Sequence, residues 1–270
     1  MTVIDVWGQI PTERMAKSHW MESLLRWTGR SGEVLVSTPE KTLKAMDDAG
    51  VDIMFLSAWY GPSGALVSNQ EMLSDAEAAP DRFRGLISVD LNRPMDAVRE
   101  IRDLATHDQV VGVRVVPWLW NLPPNDRLYY PIYTACVDAG LPFCTQVGHT
   151  GPLLRSEPGR PIPYLEDVLL DFPELKVVGG HVGFPWVNEL TSLAFKFRNL
   201  YLDTSAYALH RLPSDFVQFM KGVGQGRVMF GTNWPMLSPK QCLKGLDSLG
   251  LDEEAKTGFL NSVAKEVFSL

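Results

Sequence analysis

Cysteine is scarce in this 270-residue chain: Cys136, Cys144 and Cys242 are its three, and no two stand in Cys-x-x-Cys spacing. An odd, scattered set argues against a disulfide framework and a thiolate zinc site, and it fits a reducing compartment. Long apolar runs are also missing, for no stretch reaches the ~20 residues that span a bilayer. The N-terminus, Met1-Thr2-Val3-Ile4-Asp5, carries neither a charged leader region nor a cleavage site. A soluble, cytoplasmic protein without a membrane partner is expected. Positive charge is in short supply as well: 25 Lys and Arg stand against 32 Asp and Glu, a net charge of -7 that disfavours nucleic acid as a partner. No linker, low-complexity tract or repeat divides the chain. One domain over residues 1–270 is therefore expected, a size at which α/β barrels form a single unit.

What the chain does have is eight short apolar runs: Val3–Trp7, Asp52–Ala58, Arg84–Val89, Val110–Val116, Pro142–Val147, Lys176–Gly180, Leu200–Thr204 and Arg227–Gly231. They are β-branched or aromatic and lack strict alternation, as strands buried on both faces of a parallel sheet require. Helical periodicity fills the intervals, at Pro39–Gly50, Asn69–Ala79, Pro94–Ala105, Tyr129–Gly140, Pro163–Phe172, Trp186–Phe197, Pro213–Lys221 and Pro239–Leu249. Proline tends to open these segments and glycine to close them. Eight strand–helix units make either a closed parallel (β/α)₈ barrel or a doubly wound open sheet. The barrel is favoured, because no Gly-x-Gly-x-x-Gly follows the first strand.

In such barrels the chemistry gathers where the strands end. Strand one ends in Trp7-Gly8-Gln9, strand four carries Arg114, strand five leads into Gln146-Val147-Gly148-His149, and strand six into His181. Strand eight leads into Thr232-Asn233-Trp234. His181 is flanked by glycines, which allow close backbone approach and an imidazole aimed into the mouth. His149 fits a site residue and a turn residue equally. Arg114 is a lone charge in an apolar strand, matched either by a substrate anion or by Asp5, Asp90 or Asp203. Trp7, Trp59, Trp118 and Trp234 cluster near strand ends, with Trp120 and Trp186, and suggest an aromatic wall for a flat substrate. His19, His107 and His210 are weaker candidates. Loops 11–37 and 153–163, the second with Arg155, Glu157 and Arg160, are long enough to shape specificity.

Three stretches carry a family resemblance: Gly179-Gly180-His181-Val182-Gly183-Phe184-Pro185, Leu202-Asp203-Thr204-Ser205 and Val228-Met229-Phe230-Gly231-Thr232-Asn233-Trp234-Pro235. In that order and strand context the chain resembles the amidohydrolase-related family of aminocarboxymuconate-semialdehyde decarboxylase, resorcylate-type decarboxylases and C–C bond hydrolases. The resemblance implies a TIM barrel of the amidohydrolase type. It also implies an acid/base or water-orienting role for His181 and a metal-ligand position at His149. The chain departs from the family at Trp7-Gly8-Gln9, where a His-x-His pair is usual, and at Asn233, where an aspartate is usual. An amide neither takes up a proton nor ligates zinc well. No cofactor is expected on this reading; a zinc or manganese ion would have His149 and His181 as its ligands and an incomplete set around it.

The expected function is hydrolysis of a C–C or ester-like bond next to a carbonyl in a small aromatic-derived substrate, such as a phenylpropanoid β-ketoacyl thioester. His181 would handle the proton, with His149 beside it, Asn233 and Gln9 would hydrogen-bond the carbonyl oxygen, and Arg114 would hold an anionic end. Decarboxylation of an aromatic or enoic acid is the alternative, and a catalytically inactive binding barrel is a third. An aromatic rim also suggests a homo-oligomer.

Overall fold

The computed structural model describes residues 1–270 and contains the parallel barrel. Its strands are β1 (Ile4–Gly8), β2 (Ile53–Ser57), β3 (Phe83–Ile87), β4 (Val110–Val115), β5 (Phe143–Gln146), β6 (Val177–Gly180), β7 (Leu200–Asp203) and β8 (Val228–Met229). Each pairs in parallel with the next. The ring closes between β1 and the chain around β8. There Val6 N–H donates to Phe230 O at 3.0 Å, Asn233 N–H to Trp7 O at 2.8 Å, and Gln9 N–H to Trp234 O at 3.0 Å.

Helices follow the strands as the periodicity requires, and local chemistry sets their ends. Thr38 caps the helix Pro39–Asp47 by accepting the Lys41 N–H, with Pro39 in the first turn. Ser68 and Glu71 form a reciprocal capping box on Asn69–Glu77. Gly140, in the left-handed region at φ 67°, stops Tyr130–Ala139. Three features depart from the expectation. Loop 11–37 contains two short helices, Glu13–Ala16 and Met21–Trp27. An antiparallel hairpin pairs Trp59–Gly61 with Gly64–Val67 just beyond β2. The segment from Pro163 to Phe172 is regular α-helix over Glu166–Asp171 alone, because Ile162 holds extended backbone within the preceding turn.

Two apolar layers hold this frame. The larger joins outward-facing strand residues such as Met54, Val113, Phe143 and Leu202 to helix residues such as Met46, Ile101, Ile132 and Leu190. The smaller joins Ile4, Val6, Phe55, Leu86, Cys144, Val178 and Met229 to Val263, Ala264, Val267 and Phe268 of the last helix, Val263–Phe268. Lys176, just before β6, donates to the Glu266 carbonyl at 3.0 Å, so this helix lies under the strand starts. It plugs the barrel there, and burying a side chain like Phe268 contributes roughly 1.5–3 kcal/mol. The opposite end is left to polar chemistry. No helix is long and apolar enough to cross a membrane.

Candidate active site

His181 follows β6 with left-handed backbone, φ 70°, as does Val182 at 62°. A β-branched residue in that region costs on the order of 1–3 kcal/mol and persists where its surroundings over-determine it. Gly180 is what permits the arrangement. A Cβ there would lie 2.3 Å from the Trp7 ring and 2.8 Å from Asp203 Oδ2. With no side chain at Gly180, Trp7 packs at 4.4 Å, ring centre to ring centre, against His181.

The imidazole is anchored from behind. Its Nδ1 lies 2.6 Å from Ser205 Oγ, and the Ser205 hydroxyl and N–H both reach Asp203 Oδ1, the N–H at 2.9 Å. Asp203 and Ser205 are fully buried, whereas His181 keeps an exposed part at the mouth. Burial, with the Arg114 and His149 charges adding to it, pushes the His181 pKa down to about 3, so the ring is neutral at physiological pH. Burial also raises the Asp203 pKa, against the lowering effect of Ser205 and Arg114.

Beyond the end of the eighth strand, Asn233 is also left-handed, φ 71°, a conformation asparagine tolerates better than most residues. Its Oδ1 accepts from Gln9 Nε2 at 3.1 Å, which turns its own amide nitrogen away from that bond. Gln9 had been expected to donate to a substrate carbonyl. Its Nε2 is instead taken up by Asn233 Oδ1 and the Trp234 carbonyl, and the residue is 1% exposed, so it orients Asn233. Below the pair, the Thr232 hydroxyl donates to Asp5 Oδ2 at 2.6 Å, and the Thr232 and Trp7 N–H groups reach Asp5 Oδ1. Burial dominates at Asp5 and raises its pKa to about 7.

Arg114 had been expected to meet an anionic substrate group at the mouth. It is 1% exposed and lies beneath Trp7, its guanidinium carbon 3.6 Å from the ring centre. Its nitrogens donate to Ser57 Oγ and, at 3.0 Å, to the Val6 carbonyl. Trp7 therefore separates Arg114 from His181 and from the mouth. The partners of the Arg114 side chain are Ser57 and the Val6 carbonyl rather than a carboxylate, and burial lowers the Arg114 pKa.

The tryptophans form a wall. Trp59 and Trp118 are each 6% exposed and pack with Trp20, the Trp20–Trp118 ring centres lying 5.1 Å apart. Gln146 fixes Trp118 by accepting its indole N–H at 2.7 Å. Trp234 turns its indole N–H to Thr42, 3.0 Å away, rather than into the mouth. His149 is half-buried, its N–H bonded to the Phe184 carbonyl at 2.7 Å and its ring between Trp27 and Phe184; burial lowers its pKa. A pocket of about 400 Å³ opens elsewhere, among Arg84, Asp108, Gly140 and Phe268 at the plugged end. It holds none of these groups.

Comparison with known proteins follows the same lines. The profile described as Amidohydrolase matches residues 14–270, and the chain belongs to that family. It is 22% identical to a gamma-resorcylate decarboxylase of Rhodococcus jostii (strain RHA1), across 87% of this chain and 89% of that protein. Among solved structures, an uncharacterised TIM-barrel protein, Bb4693, of Bordetella bronchiseptica superposes with a TM-score of 0.83 at 26% identity, covering 100% and 99% of the two chains. A variant 5-carboxyvanillate decarboxylase of Novosphingobium aromaticivorans DSM 12444, holding manganese and 3-methoxy-4-hydroxy-5-nitrobenzoic acid, superposes with a TM-score of 0.73 at 18% identity, covering 100% and 97%.

The manganese in that structure corrects the expectation of no cofactor, since related barrels carry a divalent ion. The donors present here do not fit one. No three His, Cys, Asp or Glu side chains come together as a metal-holding group. His181 Nδ1 is engaged by Ser205, and Asn233 and Gln9 hold each other through their amides. Ser205 stands in the sequence only as part of the Leu202-Asp203-Thr204-Ser205 stretch, with no role of its own. The i, i+2 spacing of Asp203 and Ser205 at a strand end, which places both on one face, was the available signal.

Proposed function

We propose that this amidohydrolase-family enzyme cleaves the bond between a carbonyl carbon and its neighbour in a small aromatic-derived compound, with water as the second substrate. What supports the reading is a neutral His181 at the end of the sixth strand, its Nδ1 held by Ser205, together with Asn233 beyond the end of the eighth, its side-chain oxygen held by Gln9 so that its amide nitrogen is left free of that bond. For a β-ketoacyl thioester, His181 Nε2 orients a water and takes its proton as the oxygen attacks the keto carbon. The Asn233 amide N–H donates to the oxyanion as charge grows, support worth about 2.7–4 kcal/mol per donor in comparable sites. The C–C bond then breaks, its electron pair resting in the thioester enolate, and His181 returns the proton to that carbon. A carboxylic acid and an acetyl thioester leave.

A neutral imidazole of low pKa is a weak base, so proton transfer is coupled to formation of the oxyanion and does not precede it. Trp7, fully buried, backs His181, and the packed group of Trp20, Trp59 and Trp118, each exposed by only a few per cent, lends apolar character to that side of the barrel. A second reading, decarboxylation of an aromatic acid, is favoured by the named activities of the relatives. In it His181 would deliver a proton to the carbon that loses carbon dioxide. Incubation with β-ketoacyl thioesters and hydroxylated aromatic acids, with and without added manganese, separates the two. A new carboxylic acid bearing ¹⁸O from labelled water supports hydrolysis. Carbon dioxide from the acids supports the second reading, and neither product would overturn both.

A further inference from the structure

Behind His181, two fully buried side chains perform no step of the proposed reaction. The Ser205 hydroxyl has one proton to give and touches two groups, His181 Nδ1 and Asp203 Oδ1. Asp203 Oδ1 already receives the Ser205 N–H at 2.9 Å, so it is an acceptor, and it stays one whether or not the other carboxyl oxygen carries a proton. The hydroxyl proton therefore goes to Asp203, and Ser205 offers His181 a lone pair. Nδ1 must supply the hydrogen in that bond. The tautomer of a neutral imidazole is set by the bond its other nitrogen makes.

We infer that Asp203 and Ser205 are positioning residues that lock His181 as the Nδ1–H tautomer, leaving Nε2 bare as the acceptor presented to the mouth. The space around them is arranged for this. A Cβ on Gly231 would lie 3.1 Å from the Ser205 Cβ and 3.3 Å from Asp203 Oδ1, and one on Gly180 would lie 2.8 Å from Asp203 Oδ2. Two strand-end glycines thus keep the carboxylate and hydroxyl in line with the imidazole. The left-handed backbone at His181 and Val182 belongs to the same device, because the Val182 N–H donates to the Asp203 carbonyl at 3.3 Å. An ordered chain of acceptor, hydroxyl and imidazole is the orienting logic of hydrolase triads, with a serine interposed between carboxylate and histidine. The catalytic consequence rests on the reading of His181 given above, whereas the tautomer itself does not.

Long-range ¹⁵N–¹H correlation spectra of the full chain, labelled at its histidines, test the inference at neutral pH, with His181→Ala identifying the His181 signals. The expected wild-type spectrum shows a protonated Nδ1 and a bare Nε2. Ser205→Ala should convert His181 to the Nε2–H form and lower kcat on the order of 10-fold or more with KM nearly unchanged. Asp203→Asn keeps an acceptor oxygen and should keep the tautomer. A wild-type His181 in the Nε2–H form overturns the inference without any variant, and so does an unchanged tautomer in Ser205→Ala. A tautomer that switches while turnover holds would support the lock and refute His181 as the acid–base group.

Discussion

Under the strand starts, Val263, Ala264, Val267 and Phe268 meet Ile4, Phe55 and Val178, and no buried side-chain atom without a partner belongs to that helix. At and just beneath the mouth, Trp7 Nε1, Gln9 Oε1, Arg114 Nε and Asp203 Oδ2 are buried without partners, and His181, Val182 and Asn233 hold left-handed backbone. The first end is assembled for stability. The second departs from the rules that stabilise a fold, and such departures cluster where chemistry is done. Substitutions at the two ends should therefore separate: the mouth loses turnover and keeps its fold, and the plug does the reverse.

The largest effect belongs to Asn233→Gly, which keeps the left-handed backbone at no steric cost and removes the amide. Turnover should fall by about 100-fold or more, with an unchanged urea midpoint; a lower midpoint with retained turnover would place Asn233 with the structural end. Phe268→Ala should cost roughly 3–5 kcal/mol in urea unfolding and leave the rate per folded molecule alone. If that variant lost rate without losing stability, the division between the ends would fail.

Two buried ionisable groups sharpen the comparison through pH. Burial raises Asp5 from 3.8 to about 7, so the folded chain binds the extra proton and the stability it contributes is lost as pH rises through 7. His181 is lowered from 6.5 to about 3; its contribution is present above pH 6.5 and is lost as pH falls toward 3. The slopes oppose each other over most of that interval. Asp5→Asn, which mimics the protonated acid, should remove the first slope, so that between about 4 and 7 stability changes with rising pH more favourably than in wild type, while Asp75 and Asp203, also raised by burial, keep their own falling slopes. A pH dependence identical to wild type would refute the buried carboxyl. The smallest effect is expected at Trp234→Phe, which gives up the bond to Thr42 for about 1 kcal/mol and should leave KM within a factor of a few.

How much of this was legible in the sequence varies along the chain. All eight strands lie where the apolar runs do, because strands buried on both faces need continuous Val, Ile, Leu and Phe. The last run is shorter as a strand: β8 covers Val228–Met229, and Phe230 instead bonds to Val6 and Phe259. The helices of residues 253–268 were not anticipated, since no ninth strand follows to call for a crossover. The signals were Asp252, which caps by accepting the Ala255 N–H, and the paired spacing of Val263, Ala264, Val267 and Phe268. In the site, the strand-end position of His181 was readable from its glycines and the apolar run before it. The fates of Arg114 and Gln9 were not, because each depends on a neighbour distant in sequence. Trp7 covers the one and Asn233 holds the other.

The central claim is that His181 moves the proton at the mouth of a barrel whose stability resides elsewhere. Its most direct test is the steady-state rate of His181→Ala on the substrate that the product assay identifies, measured beside its urea unfolding curve. The expected result is a loss of about 100-fold or more in kcat with a folded enzyme and a cooperative unfolding transition, its midpoint lowered only by the loss of the Trp7 and Ser205 contacts. A folded His181→Ala enzyme turning over at the wild-type rate would contradict it.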